Sequence, residues 1–360
     1  MFELMAKEAK LEAPAKDLSS VDYAKWRSAG IEALIKGGIM LDGTKLTVEF
    51  RLYDTVREIQ LIGKRYVADA SSARAVAHKF SDDLYLKLTG LKGIFSTKIL
   101  FVSDRTKNKE IYLADYDGFN LKQLTNNKSI NLHPQLSHDG ERILYTSYQK
   151  GYPCVYMQEV STGKVSVISD RRGINVGGRW SPDDKLIALT VSGKKSPEIA
   201  VYNTITRDTK ELTDNYSIDV SPSWSPDGKT LVYSSDTGGN PHLYVINSSS
   251  GSTSRLTFEG KFHSTPAYSP DGMYITYARM DYGNFNIWIM SVSSGESTQL
   301  TFAGNNTEPT WSPDGRYILF SRKTPEGGTS LYMIRKDGTG LKRLEMGEGN
   351  EMLPSWAPGF

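Results

Sequence analysis

Histidine and cysteine side chains offer the first candidates for metal or nucleophile chemistry, and this chain has few of them. Its single cysteine, Cys154, excludes an internal disulfide and a cysteine-based metal site. The five histidines are His78, His133, His138, His242 and His263. None has the close ligand spacing of a zinc site, although His133 and His263 occupy comparable segments and could face each other. We interpret both as ordinary loop residues, and the sequence predicts no metal ion and no cofactor.

Motifs for covalent catalysis are also missing from the sequence. No Gly-x-Ser-x-Gly turn is present, which is the turn that exposes the nucleophilic serine in many hydrolases. The sequence therefore gives no support to a serine hydrolase of that type.

Charge and hydropathy argue against two further functions. The 360 residues include 43 Lys and Arg against 41 Asp and Glu, and no basic cluster is interleaved with aromatic residues, so nucleic-acid binding is not expected. No apolar run approaches the length of a membrane span. A signal peptide is absent, and because Phe2 follows Met1 directly, we expect a chain trimmed at its front.

The residues that recur are those of tight turns. A Ser-Pro-Asp-Gly phrase, or a close variant, begins at Ser137, Ser181, Ser225, Ser269 and Ser312, in steps of 44, 44, 44 and 43 residues. Two other markers recur every 44 residues, one from Leu124 to Leu344 and one from Tyr112 to Tyr332. A fixed period in the forties over most of a chain predicts a propeller or a repeat array.

Each repeat contains four short strand patterns. In one repeat they lie at residues 222–225, 231–233, 243–246 and 254–257. Pro226 and Gly228 supply the backbone angles of the tight turn between the first two. Four antiparallel strands per repeat are the content of one propeller blade.

Counting the second strand of each repeat predicts six blades. It begins near Ile99, Ile143, Leu186, Leu231, Ile275 and Ile318. Nothing before Ile99 resembles a first strand, but residues 354–360 repeat the phrase in which that strand ends. We therefore predict a mainly β protein, with a six-bladed β-propeller over residues 95–360 closed by the C-terminal strand. The recurring Trp180, Trp224, Trp311 and Trp356 are expected in the core between blades.

Residues 1–94 follow another pattern, which predicts a small α/β domain. A helix is expected over 22–36, a strand from Leu46 to Leu52, a partner strand over 58–62, and a second helix over about 71–89. The apolar face of the second helix would contain Ala73, Ala77, Phe80, Leu84 and Leu88.

A polar residue stands three positions before the proline, or its equivalent, of each innermost strand. These residues are Asn131, Asn175, Asp219, His263, Asn306 and Glu351. Blade geometry places them around one mouth of the central channel, opposite the Ser-Pro-Asp-Gly turns. Two roles stay open for them, side-chain hydrogen bonds to turn backbone or a polar collar that accepts a loop or peptide of a partner.

The repeats combine with a distinctive junction in which "AHKFSDDLY" (residues 77–85) precedes "KLTGLKGIFSTKILFVS" (residues 87–103). Together with the "FRLYD" strand (residues 50–54), they resemble the TolB family of periplasmic propeller proteins of the Gram-negative Tol-Pal system. The resemblance covers essentially the whole chain. At the front we expect an extra strand and helix of the family, and the flexible segment that binds TolA, to be missing.

The resemblance implies a non-enzymatic periplasmic scaffold that supports outer-membrane integrity and cell division. It would dock Pal, the peptidoglycan-associated lipoprotein, on one propeller face, which some colicins also exploit, and we expect a monomer. The segment "AGNNTEPTW" (residues 303–311) matches the family's sequence at the mouth of the propeller channel where the partner binds. Thr307 matches an interface position and Glu308 lies beside it, whereas Thr265 and His263 in the preceding blade match less well.

Two alternatives remain from the sequence. One is a propeller lyase or hydrolase with a metal or polar site in the central channel. The other is a scaffold for a different partner.

Overall fold

The computed structural model describes residues 17–357, which form two units divided between Ser96 and Thr97. Antiparallel strands account for most of the regular structure, which confirms the mainly β class. No helix within the described residues is long and apolar enough to cross a membrane.

The first unit is a three-stranded antiparallel sheet with a helix packed on it. Its elements are α1 (Tyr23–Ser28), β1 (Ala33–Asp42), β2 (Lys45–Asp54), β3 (Ile59–Asp69), a 3-10 turn (Ala70–Ser72) and α2 (Ala73–Thr89), with β2 central in the sheet. Leu46 and Val48 pack against Val76 of α2, and Phe50 stacks on Phe80 with ring centroids 4.0 Å apart. These contacts are the core of this unit.

The helix expected over residues 22–36 is wrong beyond its first turns. The Asp22 carboxylate caps α1 by accepting a hydrogen bond from the Lys25 amide at 3.1 Å, but α1 ends at Ser28. Residues 33–42 instead form β1, which pairs with β2 along its whole length. Gly37 and Gly38 weaken a helix in this segment, and β2 supplies a backbone partner that no local pattern reveals.

The second helix was predicted correctly, and its buried face was predicted in part. Gly90 ends α2 in the left-handed conformation, with φ 73°, and its amide donates to the Leu86 carbonyl at 2.8 Å. Val76 and Phe80 are buried, whereas Ala73 and Ala77 are exposed. The contact with the sheet therefore lies to one side of the alanine stripe.

The second unit contains six four-stranded antiparallel sheets. From innermost to outermost strand, three of the sheets are β27 (Glu351–Ala357), β4 (Lys98–Ser103), β5 (Glu110–Asp115) and β6 (Lys122–Gln123); β7 (Asn131–Leu136), β8 (Arg142–Ser147), β9 (Cys154–Glu159) and β10 (Val165–Ser169); and β11 (Asn175–Trp180), β12 (Leu186–Ser192), β13 (Pro197–Asn203) and β14 (Thr209–Glu211). The other three are β15 (Asp219–Trp224), β16 (Thr230–Ser235), β17 (His242–Asn247) and β18 (Thr253–Arg255); β19 (His263–Tyr268), β20 (Tyr274–Asp281), β21 (Asn284–Ser291) and β22 (Ser297–Gln299); and β23 (Asn306–Trp311), β24 (Tyr317–Lys323), β25 (Thr329–Arg335) and β26 (Lys342–Arg343).

The last strand of the chain pairs with the first strand of this unit. Trp356 of β27 lies opposite Ile99 of β4, and Ser355 lies opposite Leu100. The innermost strands also contact one another in succession, from β27 through β7, β11, β15 and β19 to β23, and β23 contacts β27. The two ends of the repeat region are thus adjacent.

The recurring Ser-Pro-Asp-Gly phrase forms a hydrogen-bonded turn between the first and second strands. The Ser225 hydroxyl donates to the Asp227 carboxylate at 2.7 Å and accepts from the Thr230 amide at 3.0 Å. Gly228 has φ +71°, and a Cβ there would lie 3.7 Å from the ring of Pro182 in the preceding sheet. The phrase recurs because it closes each hairpin and packs it on its neighbour.

The recurring tryptophans lie in the core, as predicted. Trp180, Trp224, Trp311 and Trp356 are all buried. The indole N–H of Trp224 donates to the Arg179 carbonyl at 3.1 Å, and that of Trp311 donates to the Ala267 carbonyl at 3.0 Å. Each of these two bonds joins one sheet to the preceding one.

Candidate partner-binding site

All six innermost strands begin at the same end of the second unit, which we name the entry face; the Ser-Pro-Asp-Gly turns lie at the opposite end, the turn face. The first residue of each strand is buried, and the next two are partly exposed. The third residues, with φ between 49° and 74°, are His133, Gly177, Ser221, Thr265, Glu308 and Leu353. Pairing with the second strand shifts register at this point. Such a bulge re-aims side chains out of the regular sheet alternation.

The six polar residues expected to form a collar do begin the six innermost strands. They are Asn131, Asn175, Asp219, His263, Asn306 and Glu351, and each is at most 2 % exposed. The expectation of a collar that contacts a partner is therefore wrong for these side chains. They lie between neighbouring sheets, where backbone amides and carbonyls need hydrogen-bond partners.

Hydrogen bonds of these residues reach the preceding sheet. The side-chain amide of Asn131 donates to the Glu110 carboxylate at 2.9 Å, and the side-chain amide of Asn175 donates to the Pro153 carbonyl at 3.1 Å. This supports the alternative role, side-chain bonding that fixes the start of each strand.

His263 differs from the other five because its ring packs on other rings. Its centroid lies 4.8 Å from that of His242 and 5.3 Å from that of Tyr277. Burial and the neighbouring His242 lower the pKa of His263 to about 3. His263 is 1% exposed, whereas His133 is partly exposed and lines a cavity that does not include His263, so the structure does not bring the two histidines together.

Two of the buried acids have raised pKa values. Burial raises the pKa of Asp219, although the Asn215 amide donates to its carboxylate at 2.8 Å. Burial also raises the pKa of Glu351 to about 7, against the ion pair that it forms with Arg105 at 3.2 Å. Both carboxyls are held in place within the core.

Thr307 and Glu308 lie together in a cavity at the entry face. The cavity has a volume of about 350 Å³ and is also lined by His133, Lys109 and Met352. Thr307 and Glu308 are the second and third residues of β23 and are partly exposed. Thr265, the third residue of β19, does not line this cavity, and its buried hydroxyl has no hydrogen-bond partner within the described residues.

Three titratable groups of this region, Glu308, His133 and Arg179, interact electrostatically. Burial raises the pKa of Glu308, and the positive charge of Arg179 partly offsets this rise. Burial, with the same Arg179 charge, lowers the pKa of His133 to about 4, so its ring is neutral at physiological pH. The cavity therefore combines the Glu308 carboxyl and a neutral His133 ring with the basic side chains of Lys109 and Lys323.

Four exposed aromatic side chains stand in entry-face loops, and the sequence analysis did not identify them. These entry-face aromatics are Tyr216, Phe258, Tyr282 and Phe302, with exposed fractions of 72 % or more. Phe258 and Phe302 stand 44 residues apart and so occupy the same position in successive repeats. The recurrence of an aromatic residue at one loop position in successive repeats was the available signal.

Comparison with known proteins identifies two matching regions. Residues 85–360 match the family described as "TolB beta propeller domain", and residues 1–61 match "TolB amino-terminal domain". The chain also resembles the crystal structure of TolB from Acinetobacter baumannii, with a TM-score of 0.87 and 30% identity over 96% of this chain and 88% of that one.

Curated relatives match over shorter segments. A Tol-Pal system protein TolB from Geobacter metallireducens is 47% identical over 34% of this chain and 28% of its own length. One from Desulfosudis oleivorans is 37% identical over 44% of this chain and 37% of its own length. The match therefore spans about a third of these relatives. The propeller match covers most of the chain, and the chain belongs to the TolB family.

Proposed function

We propose that this chain is a non-enzymatic, periplasmic protein-binding scaffold of the Tol-Pal system and docks Pal on its entry face. The names of the curated relatives, Tol-Pal system proteins, support this setting. The observation that carries the docking face is the cavity holding Thr307 and Glu308, on the face that also bears the entry-face aromatics.

The proposal includes a closed six-bladed propeller over residues 95–360, preceded by a separate α/β domain over residues 1–94. The pairing of β27 with β4 and the contact of β23 with β27 support closure. Closure leaves no exposed edge among the innermost strands and gives the partner a rigid ring of loops to bind.

The composition of the entry face suits a protein partner. Aromatic side chains are enriched in protein interfaces, where they bury large area at low conformational cost. The exposed fractions of Tyr282 and Phe302, 105% and 79%, leave most of their apolar area free for such contact. A partner loop that reaches the cavity would meet Thr307 and Glu308.

The buried first residues have a supporting role in this proposal. Asn306 precedes Thr307 and donates to the Ala303 carbonyl at 3.0 Å, which fixes the start of β23. The contribution of Thr265 and the binding of colicins and TolA stay predictions from the family resemblance.

Thr307→Arg tests the docking face. Calorimetric titration of the soluble domain of Pal should show a loss of at least about tenfold in affinity, because a bulky charge would be desolvated without a designed partner. Unfolding should shift by no more than about 0.5 kcal/mol, since Thr307 is partly exposed. The matched control is Thr206→Arg, the same change at an exposed position of a turn-face loop. Equal affinities for both variants would move the Pal site away from this cavity, and no binding by the unaltered chain would refute Pal docking.

A further inference from the structure

A second cavity opens at the turn face, at the other end of the innermost strands from the docking face. Its volume is about 370 Å³, at the lower end of the range for small-ligand sites. Its rim includes Pro182, Pro226, Pro270 and Pro313, which are all exposed. Solvent therefore reaches this cavity.

The cavity contains an arginine that lacks a counter-charge. Arg179 is the fifth residue of β11, and within residues 17–357 its guanidinium forms no hydrogen bond or ion pair. Burial lowers the pKa of Arg179, and the carboxylate of Glu308 acts on it only over a longer distance, without an ion pair. Arg179 is partly exposed and lines a cavity open to solvent, so its unpaired guanidinium is available to an anionic ligand.

The other polar groups of the cavity can also donate hydrogen bonds. Gln135 uses its carbonyl oxygen to accept from the Trp180 amide at 3.1 Å, which leaves its NH₂ group as a donor. Ser223 accepts from the Tyr268 amide at 3.4 Å, so its hydroxyl hydrogen stays available. Thr310 adds a further hydroxyl on β23. The surrounding prolines and indoles supply apolar walls.

We propose that the turn-face cavity binds a small carboxylate with an apolar body, its carboxylate on the Arg179 guanidinium and its body against the proline rim. A planar guanidinium matches a carboxylate with two parallel hydrogen bonds. Gln135, Ser223 and Thr310 would donate to the remaining lone pairs. This site lies at the opposite end of the strands from the proposed Pal site, and the proposal does not rest on Pal docking.

The carboxylate has two chemical sources, a free organic acid and the C-terminus of a peptide. The probes are hexanoate and the peptide Gly-Gly-Leu with a free carboxylate, titrated calorimetrically into the full chain in low-chloride buffer. Hexanol and the peptide amide are their neutral counterparts. We expect at least one carboxylate to bind and neither neutral counterpart to do so. Binding by hexanoate alone would indicate an organic acid, and binding by the peptide would indicate a C-terminus.

Arg179→Gln should weaken binding at least tenfold, whereas the exposed Arg172→Gln, which removes the same charge, should leave it unchanged within about twofold. Arg179→Lys should retain partial binding. This variant replaces Arg179→Gln in the test if the Gln variant folds poorly. Glu308→Gln should tighten binding severalfold, because it removes the carboxylate that competes for Arg179. No heat from either carboxylate, or equal binding by the Arg179→Gln and Arg172→Gln variants, would overturn the proposal.

Discussion

Replacing Trp356 by alanine tests whether the C-terminal strand holds the second unit together. Trp356 is 7% exposed, lies opposite Ile99 in the pairing of β27 with β4, and donates from its indole N–H to the Thr97 hydroxyl at 2.8 Å. Truncation of a buried tryptophan to alanine costs roughly 3 to 5 kcal/mol. Loss of this hydrogen bond adds about 1 kcal/mol.

The matched control is Trp311→Ala, the same change at the corresponding position of another sheet. Trp311 is 6% exposed and its N–H donates at 3.0 Å, so the two indoles are equally buried and equally bonded. If β27 is as integral as β23, both variants should lose about 4 kcal/mol, a fall in Tm of roughly 10 °C for a unit of this size. Urea denaturation followed by circular dichroism, with calorimetry for Tm, measures both.

A chain ending at Leu353 extends the test. It loses Trp356 and exposes the edge of β4, so it should melt at or below the temperature of Trp356→Ala. If Trp356→Ala costs less than about 0.5 kcal/mol while Trp311→Ala shows the full loss, the C-terminal strand does not close the repeat region. A truncated chain that melts with the full one would lead to the same conclusion.

Two further predictions concern pH and domain independence. The pKa of Glu351 is raised from 4.5 to about 7 by burial, so the native state loses stability as pH rises through this range. Glu351→Gln should therefore match the unaltered chain near pH 4 and exceed it by about 2 to 3 kcal/mol at pH 8 in urea titrations; equal stability at both pH values would show that Glu351 titrates normally. A chain of residues 97–360 should fold alone, because every strand of the six sheets and the Thr97 partner of Trp356 lie within it; an unfolded circular-dichroism spectrum would show that the first unit is required.

Much of the local structure of this protein could be predicted from its sequence. The Ser-Pro-Asp-Gly turns, the strands around them and the buried tryptophans recur with a fixed period, and each depends on residues close together in the chain, such as Ser225 with Asp227. The prediction of a helix over residues 22–36 was wrong because the structure of this segment depends on a partner strand elsewhere in the chain. Residues 33–42 become a strand only because β2 pairs with them, and that partner is not visible in their own pattern.

The candidate site likewise has features that local sequence predicts and features that only packing decides. The sequence correctly located Thr307 and Glu308 at the start of an innermost strand, because a turn and a strand boundary are local signals. It left two roles open for the neighbouring first residues, such as Asn306, bonding to the backbone or an exposed collar, and the structure buries them between sheets. The exposure of a side chain depends on what packs over it, and neighbours from the preceding sheet decide that.

Sequence alone thus determined the repeat, its four strands and the chemistry of its turns, because these are set by residues within one repeat. Tertiary structure decided which polar side chains are buried, which aromatics stay exposed at the entry face, and which charged side chain, Arg179, has no ion-pair partner among the described residues. Arg179 and Glu308 are 129 positions apart and belong to different repeats, and no local pattern relates them. They influence each other because the packing of the sheets brings their charges close enough to interact.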